Sequence, residues 1–286
     1  MRPSTFLIGG TLLFMIIVLV FVLMQREKVA LRWAVYYHGS LPYSEFAEYD
    51  IVVFDSDSAP AFMREKTKGQ IVLGYLSTSE AEEYRSYFDT IQSMDVLIAP
   101  SDQWAAHHVI DIRKPQWQEY FVHTLIPQVL QKGFDGIMLD TIDTALHLET
   151  IEPQRFAGMS KAAVNLVQSV RKAHPDIKIM LNRGFALLPE VANSIDYALA
   201  ESIRVNYQPN QESPQFFPNA VYDEISTTLK AATRINPRLK IMTLDYIPIQ
   251  KSTIPLVKRV YSQHRSNGFY PYVTTYDLGS HHREPE

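Results

Sequence analysis

The sequence of 286 residues contains no cysteine, and this absence excludes disulfides, thiolate nucleophiles and cysteine-ligated zinc. It also has little net charge, because 27 basic residues oppose 31 acidic ones, so it lacks the basic excess of a dedicated nucleic-acid binder. No glycine-rich phosphate-binding turn follows an early predicted strand, which argues against a dinucleotide-binding fold. The chain is instead 46% apolar and 12% aromatic, which excludes a disordered or low-complexity protein.

The apolar residues are concentrated first at the amino terminus, where residues 6–24 carry no charge. A helix of this length spans roughly 28 Å, close to the thickness of a bilayer's hydrocarbon core. We therefore predict a transmembrane signal-anchor over residues 1–29, with the remainder periplasmic or extracellular. A cleaved signal peptide, which would give a secreted form, is the main alternative, although no Ala-x-Ala pattern ends the run. Positive charges flank both ends, so they do not decide the orientation.

After residue 30, short hydrophobic runs alternate with amphipathic segments. Near-continuous hydrophobic runs are typical of strands that are buried on both faces. Eight strands alternating with eight helices predict a (β/α)8 TIM barrel over residues 30–280, followed by a polar, disordered tail at 281–286. A doubly wound open sheet is the alternative. The predicted strands are 33–37, 51–55, 71–76, 136–140, 177–182, 197–201, 240–245 and 269–274, and the predicted helices are 42–48, 59–66, 80–87, 115–132, 153–174, 186–193, 222–234 and 254–265.

Two stretches, 94–113 and 208–220, do not fit the alternation. Long insertions between a strand and the next helix usually shape a ligand cleft. We expect both of them to border the site.

The carboxyl ends of the predicted strands carry acids, tyrosines and amides, and few basic groups. In barrels of this kind the reactive groups lie at those ends. Such a set suits a polyhydroxylated or cationic substrate better than a phosphate, which would need arginine or lysine. The candidate residues are Tyr37, Asp55, Glu80, Asp140, Asp143, Asn182, Glu201, Asp245, Tyr246 and Tyr272.

Asp140 and Glu201 are the strongest catalytic candidates, because each ends a hydrophobic strand in a carboxylate. Capping of the following helix is the alternative for Asp140 and for Glu80, and a structural hydrogen bond is the alternative for Asp245. Paired carboxylates are what glycoside hydrolysis needs, one protonated as an acid and the other ionised as a nucleophile or base. Their spacing along the chain does not give the distance between them.

Several segments together resemble glycoside hydrolase family 114, the endo-α-1,4-polygalactosaminidases, which are related to the hydrolase domain of the Pel exopolysaccharide system. The similarity runs in order from about Trp33 to Leu278. It is carried by Gly74-Tyr75-Leu76-Ser77-Thr78-Ser79-Glu80 with Tyr84-Arg85, Gly133-Phe134-Asp135-Gly136-Ile137-Met138-Leu139-Asp140-Thr141-Ile142-Asp143, Asn182-Arg183-Gly184-Phe185, Ala200-Glu201-Ser202 and Gly268-Phe269-Tyr270-Pro271-Tyr272-Val273.

The resemblance implies an enzyme that cleaves α-1,4-linked, galactosamine-rich exopolysaccharide without a cofactor. It implies that Asp140 is the nucleophile and Glu201 the general acid/base. Two positions depart from the family pattern: Ser79 replaces a glycine, and Arg183 replaces an asparagine. The arginine places a cation near a cleft expected to bind cationic sugars, so N-acetylated or acidic sugar units are a second expectation.

Two further hypotheses remain at this point. One is a non-catalytic polysaccharide-binding barrel that acts in export or retention of the polymer. The other is a metal-dependent hydrolase using Asp55, Asp57 and Asp245, although no third ligand follows the first two at a recognised spacing. We expect no metal, no nucleic acid partner, and contact with a membrane through the amino-terminal helix. The sequence gives no prediction of oligomeric state.

Overall fold

The computed structural model describes residues 31–59, 65–100 and 107–285, and within them eight parallel strands form one sheet. Their order is β1-β2-β3-β7-β8-β9-β12-β13, so each strand pairs with its neighbours in the barrel sequence. The predicted α/β barrel is therefore confirmed in its eight strands. The strands are β1 Trp33–Tyr36, β2 Ile51–Asp55, β3 Ile71–Ser77, β7 Gly136–Asp140, β8 Lys178–Asn182, β9 Tyr197–Glu201, β12 Lys240–Tyr246 and β13 Tyr270–Thr274.

The strands form because most of their residues are buried on both faces of the sheet. All five residues of β2, for example, are buried, as are the four of β1. The register aligns the carboxyl ends of neighbouring strands, with Ser77 opposite Asp140 and Leu244 opposite Glu201. The polar residues that end these strands therefore meet at one face of the barrel.

Helices cover the outside of the barrel and pack through amphipathic faces. The helix Met159–Ala173, for example, buries Leu166, Val167 and Val170. The described helices are α1 Phe88–Gln92, α2 Pro115–Tyr120, α3 Ile126–Gln131, α4 Ile142–Ile151, α5 Met159–Ala173, α6 Leu188–Val191, α7 Asn219–Ile235 and α8 Ile254–Ser266. A π-helical turn, Phe121–Leu125, joins α2 to α3, so the helix predicted at 115–132 is continuous.

Three helix predictions differ from the structure. Residues 80–87 were predicted as a helix, but Glu80–Glu82 form a strand, β4, whose three residues are all buried. The helix predicted at 153–174 begins only at Met159, after Gly158 with a φ of 87°, and α4 precedes it unpredicted. The segment predicted at 42–48 is a short 3-10 helix, Tyr43–Phe46. Most of the helix predicted at 59–66 lies outside the described residues.

Both insertions contain antiparallel strands at the carboxyl face of the barrel. In the first, β4 pairs with β6 (His107–Ile110), which pairs with β5 (Leu97–Pro100). In the second, β10 (Val205–Asn206) pairs with β11 (Gln215–Phe216). Trp117 ties the first insertion to α2, since its indole N–H donates to the carbonyl of Thr78 at 2.9 Å.

The ends of the sheet, β1 and β13, meet through side chains and through the carboxyl-terminal segment. The Trp33 indole N–H donates to the carbonyl of Tyr270 at 2.9 Å. The backbone N–H of Tyr37 donates to the carbonyl of Leu278 at 3.0 Å. Residues 281–285, within the predicted disordered tail, form no helix or strand. The His281 ring nevertheless lies 5.1 Å from the Phe46 ring.

The predicted membrane anchor at residues 6–24 lies outside the described residues. Within the ranges that are described, no helix is both long and apolar enough to cross a bilayer.

Candidate active site

The centre of the site is one amide that binds both candidate catalytic carboxylates. The side-chain NH2 of Asn182 donates to Asp140 Oδ1 at 2.8 Å and to Glu201 Oε2 at 2.6 Å. Because both bonds start from the same nitrogen, the two oxygens lie no more than 5.4 Å apart, the sum of 2.8 and 2.6 Å. Three adjacent strands, β7, β8 and β9, thus contribute one polar side chain each to a single cluster.

Each of these three side chains is followed by a residue in the left-handed backbone conformation. Thr141, Arg183 and Ser202 have φ values of 58°, 57° and 51°. This conformation is unfavourable for residues with a side chain, and such strain is concentrated at functional sites. The strained residue turns the chain sharply, so that the polar side chain before it stays at the rim of the barrel. Three such turns on neighbouring strands mark the carboxyl face of the barrel as the candidate functional site.

Tyr246 completes the surroundings of Glu201. Its hydroxyl donates to Glu201 Oε1 at 2.7 Å, so both oxygens of Glu201 accept hydrogen bonds. Burial and the charge of Glu201 raise the pKa of Tyr246 well above its ordinary value, which keeps the hydroxyl protonated as a donor. Tyr246 was predicted to bind substrate, and the structure places it beside the two candidate catalytic carboxylates.

Burial and the nearby charge of Glu201 raise the pKa of Asp140 from 3.8 to about 7. The hydrogen bond from Asn182 and the backbone N–H of Thr141 act in the opposite direction. Two carboxylates this close cannot both be ionised without strong repulsion. The pair therefore retains one proton at a pH at which an ordinary carboxyl group has lost it.

Two tyrosines flank the pair on the side of β1 and β3. Burial, followed by the charges of Asp140 and Glu201, raises the pKa of Tyr37 well above its ordinary value. The ring of Tyr37 lies 5.2 Å from that of Tyr75, in an edge-to-face arrangement. Tyr37 was predicted to be in the site, whereas Tyr75 was not, because it lies within a strand rather than at its end.

Asp55 is close to this group, but it does not present a free carboxylate to a ligand. Arg85 donates to Asp55 Oδ1 at 3.0 Å and forms an ion pair with Oδ2 at 2.9 Å. The same guanidinium binds Asp57 at 3.1 Å and Glu82 at 2.9 Å. A buried arginine thus pairs with both oxygens of Asp55, and substrate binding by Asp55 stays a prediction. The sequence reasoning had not foreseen that arginine in this role.

Asp143 and Glu80 also have protein partners. Arg183 donates from Nε to Asp143 Oδ2 at 2.7 Å, and both side chains remain more than one third exposed, at 44% and 39%. The Thr144 hydroxyl donates to Glu80 Oε1 at 2.8 Å, and Glu80 is only 2% exposed. Asp143 therefore lies at the open rim, whereas Glu80 connects the first insertion to α4 rather than facing the cleft.

Asp245 and Tyr272 lie away from the pair. Asp245 is fully buried, and its oxygens accept the backbone N–H of Arg204 at 3.0 Å and contact His264 Nε2 at 2.7 Å. The Tyr272 hydroxyl accepts the backbone N–H of His282 at 3.3 Å. Both side chains are buried against protein partners, and their predicted role in substrate binding has no support from these contacts. Successive side chains of a strand point to opposite faces, so Tyr246 reaches Glu201 while its neighbour Asp245 contacts His264.

The residues of the metal-hydrolase hypothesis do not converge. Asp55 and Asp57 bind Arg85, whereas Asp245 binds His264 on α8. Across residues 31–59, 65–100 and 107–285, no group of three or more histidine and carboxylate side chains is arranged to hold a metal ion.

The two departures from the expected motifs differ in their contacts. Ser79, in place of a glycine, is fully buried; its backbone N–H donates to the Thr141 hydroxyl at 3.0 Å, whereas its own hydroxyl has no hydrogen-bond partner among the described residues. Arg183, in place of an asparagine, takes the left-handed conformation and donates from Nη1 to the carbonyl of Glu201 at 3.2 Å. Neither departure displaces the catalytic pair.

The comparisons with known proteins agree with this geometry. Residues 23–285 match the model of the Glycoside-hydrolase family GH114, so the chain belongs to that family and is a glycoside hydrolase.

Solved structures with the same fold include the glycoside hydrolase domain of PelA from Pseudomonas aeruginosa, which is 22% identical. Its TM-score is 0.73, and the alignment covers 87% of this chain and 96% of that one. Ega3 of Aspergillus fumigatus, solved in complex with galactosamine, is 16% identical with a TM-score of 0.66, over 87% and 93% of the two chains. An uncharacterized protein of Thermotoga maritima is 23% identical over 73% of this chain and 67% of its own length.

Proposed function

We propose that this enzyme cleaves α-1,4-linked, galactosamine-rich exopolysaccharide within the chain and with retention of anomeric configuration. The observation that carries the proposal is the bridge from Asn182, which limits the separation of Asp140 Oδ1 and Glu201 Oε2 to 5.4 Å, the sum of 2.8 and 2.6 Å. Retaining glycosidases place their carboxyl groups about 5–5.5 Å apart, whereas inverting enzymes need about 6.5–9.5 Å to admit a water molecule.

In the first step, a carboxylate oxygen of Asp140 attacks the anomeric carbon while the bond to the leaving oxygen breaks. Glu201 gives its proton to that oxygen, which leaves as the hydroxyl of the departing chain. In the second step, Glu201 takes a proton from water, the resulting hydroxide attacks the anomeric carbon, and the bond to Asp140 breaks. Asp140 and Glu201 then return to their starting charges.

The pair holds one proton, and the two catalytic roles depend on which of the two carboxyl groups carries it. In the unliganded protein burial and the charge of Glu201 raise the pKa of Asp140 to about 7, which favours its protonated form below that pH. For Asp140 to act as the nucleophile, that proton has to reside on Glu201 once the sugar is bound. The role assignment therefore needs its own test.

The surroundings of the pair support an amino-sugar polymer as substrate. Tyr37, Tyr75 and Tyr246 lie close to the carboxylates, and the Tyr276 ring lies 5.2 Å from that of Tyr246. Tyr75 and Tyr246 are buried, so the half-buried rings of Tyr37 and Tyr276 are the ones that offer surface on which a sugar ring stacks. Ega3, which shares the fold, was solved with galactosamine.

The proposal is tested by incubating the protein with fully and partially deacetylated galactosamine polymers and reading the products by mass spectrometry. Proton NMR of the first product should show the α-anomer. Asp140→Asn and Glu201→Gln should abolish cleavage, whereas Asp89→Asn and Glu224→Gln, which change exposed carboxylates, should not. A β-anomer as the first product would contradict retention, and absence of cleavage by the unmodified protein would contradict the substrate.

Chemical rescue by azide distinguishes the two roles. With Asp140→Ala, azide takes the place of the nucleophile in a single displacement and should give the β-glycosyl azide. With Glu201→Ala, azide attacks the covalent intermediate and should give the α-glycosyl azide. The opposite pattern would exchange the roles of Asp140 and Glu201.

We further propose that residues 6–24 anchor the enzyme in a membrane, with the barrel on the periplasmic or extracellular side. The support is the uncharged apolar run in the sequence. Carbonate-resistant sedimentation with the membrane fraction would be expected, and release of a shortened protein would indicate cleavage instead.

A further inference from the structure

Tyr84 is the most exposed aromatic side chain near the site. Four large apolar side chains are clearly exposed in the described part of the chain, and Tyr84, at 70%, is the aromatic one. The others, Ile151, Ile235 and Val221, are 54%, 42% and 40% exposed. Tyr84 follows β4, the strand that pairs with β6 of the first insertion.

The Tyr84 ring rests on a rigid support. The Arg85 guanidinium lies 4.9 Å from the centre of the ring and covers one of its faces. Arg85 is itself only 5% exposed and is fixed by Asp55, Asp57 and Glu82. The Tyr84 hydroxyl also contacts Glu82 Oε1 at 3.4 Å. An exposed ring that is held in this way loses little conformational freedom when a ligand covers its other face.

A continuous row of contacts connects this ring to the catalytic pair. The same Arg85 guanidinium lies 5.3 Å from the centre of the Tyr75 ring, on the side towards the barrel. Tyr75 in turn contacts Tyr37 at 5.2 Å, and the charge of Asp140 reaches both of these tyrosines. Tyr84 is therefore connected to the carboxylate pair through Arg85, Tyr75 and Tyr37, and the centre of its ring lies no more than 10.2 Å from that of Tyr75, the sum of 4.9 and 5.3 Å measured through the guanidinium carbon.

We propose that Tyr84 forms a remote subsite of the cleft, where it stacks on a sugar ring of a long hexosamine polymer several units from the cleaved bond. This inference rests on the proposed function. The chemistry is that of an aromatic face against the C–H face of a pyranose, and the supporting arginine sets the orientation of the ring. Only substrates that extend past Tyr37 and Tyr75 would reach it.

The test measures binding and cleavage of galactosamine polymer and of its short oligosaccharides. Binding is measured by titration calorimetry with the Asp140→Asn protein, which does not consume the ligand, with and without a change at Tyr84. Tyr84→Ala should weaken binding of the polymer about tenfold, the effect of losing about 1.4 kcal/mol of aromatic contact. It should leave binding of the shortest oligosaccharides unchanged. Tyr84→Phe, which keeps the ring, should bind the polymer as the parent does, and so should the surface control Ile151→Ala.

Two outcomes would overturn the inference. If Tyr84→Ala binds and cleaves the polymer as Tyr84→Phe does, the subsite is refuted while the proposed function stands. If the effect of Tyr84→Ala is equal for short and long ligands, Tyr84 acts on the catalytic centre and not as a remote subsite. Failure of the unmodified protein to cleave the polymer would count against the proposed function, and the comparison of Tyr84→Ala with Tyr84→Phe would still decide whether the ring binds it. Absence of any binding to the polymer would overturn both.

Discussion

Replacing Asp140 with asparagine should abolish hydrolysis and at the same time stabilise the protein at pH 8. Asparagine keeps the shape of the side chain and can still accept the hydrogen bond from Asn182, but it removes the charge that faces Glu201. In the folded state the charge of Asp140 is partly buried and is repelled by that of Glu201, and this repulsion lowers the free energy of unfolding. Loss of function with a gain of stability is the expected signature.

The size of the gain follows from the pKa. Burial and Glu201 raise the pKa of Asp140 from 3.8 to about 7, and a tenfold change in proton affinity is worth about 1.4 kcal/mol. The upper bound on the stored free energy is therefore about 4 kcal/mol. Since Asp140 is partly exposed and water screens part of the repulsion, we expect a gain of about 1–3 kcal/mol.

The sign of the pH dependence is also fixed. A carboxyl whose pKa is raised on folding binds more protons in the folded state between about pH 4 and pH 7, so unfolding becomes easier as the pH rises through this window. The stability of Asp140→Asn relative to the parent should be largest at pH 8 and should disappear near pH 4.

Urea unfolding at pH 4, 6 and 8 measures this difference, with the exposed Asp89→Asn as the control. A gain of the same size at all three pH values would refute the reasoning, because titration of Asp140 would then not be its cause. A net loss of stability at pH 8 would refute it as well.

Three other changes have defined outcomes. Asn182→Ala removes a hydrogen bond that lowers the pKa of Asp140. The acid limb of the profile of kcat/KM against pH should therefore move to higher pH by about 1 unit. An acid limb at the same pH as in the parent would contradict the role of the Asn182 bridge. Arg85→Met should lower the free energy of unfolding by about 3–5 kcal/mol at pH 7, because it leaves the buried carboxylates of Asp55 and Glu82 without their cation; an unchanged urea midpoint would argue against this. Gly136→Ala would place a methyl group 1.9 Å from the carbonyl oxygen of Lys178. We therefore expect the free energy of unfolding to fall by about 3 kcal/mol and the activity to be lost. A melting temperature equal to that of the parent would show that β7 and β8 can move apart to admit the methyl group.

The barrel strands could be predicted closely from the sequence because their burial on both faces leaves a direct pattern of hydrophobic runs. β7 and β9 were predicted with the bounds that the structure has, and β12 differs by a single residue. Asp245 and Tyr246 were both named as site candidates, but successive side chains of a strand point to opposite faces, so Tyr246 reaches Glu201 whereas Asp245 contacts His264.

The partners of the strand-end residues could not be predicted. Asp140 and Asp55 both end hydrophobic strands, and nothing local distinguishes them. The difference comes from residues far along the chain: Asn182 approaches Asp140, whereas Arg85 approaches Asp55. Residues 80–87 were predicted as a helix, whereas Glu80–Glu82 form β4 by pairing with β6 and Arg85 lies in the turn that follows, which sequence periodicity does not show.

The joint between β1 and β13 has a consequence for how the molecule can fluctuate. The strand ladder begins at β1 and ends at β13, and these two strands are joined by the Trp33 indole and by the segment that follows Leu278. Local opening, of the kind that amide hydrogen exchange detects, should start at this joint, where side chains replace backbone pairing. Asp140, Asn182 and Glu201 lie on the fourth, fifth and sixth strands of the order, far from both ends. The barrel can therefore open and close along its seam while the spacing of the two carboxylates, on which the chemistry depends, stays constant.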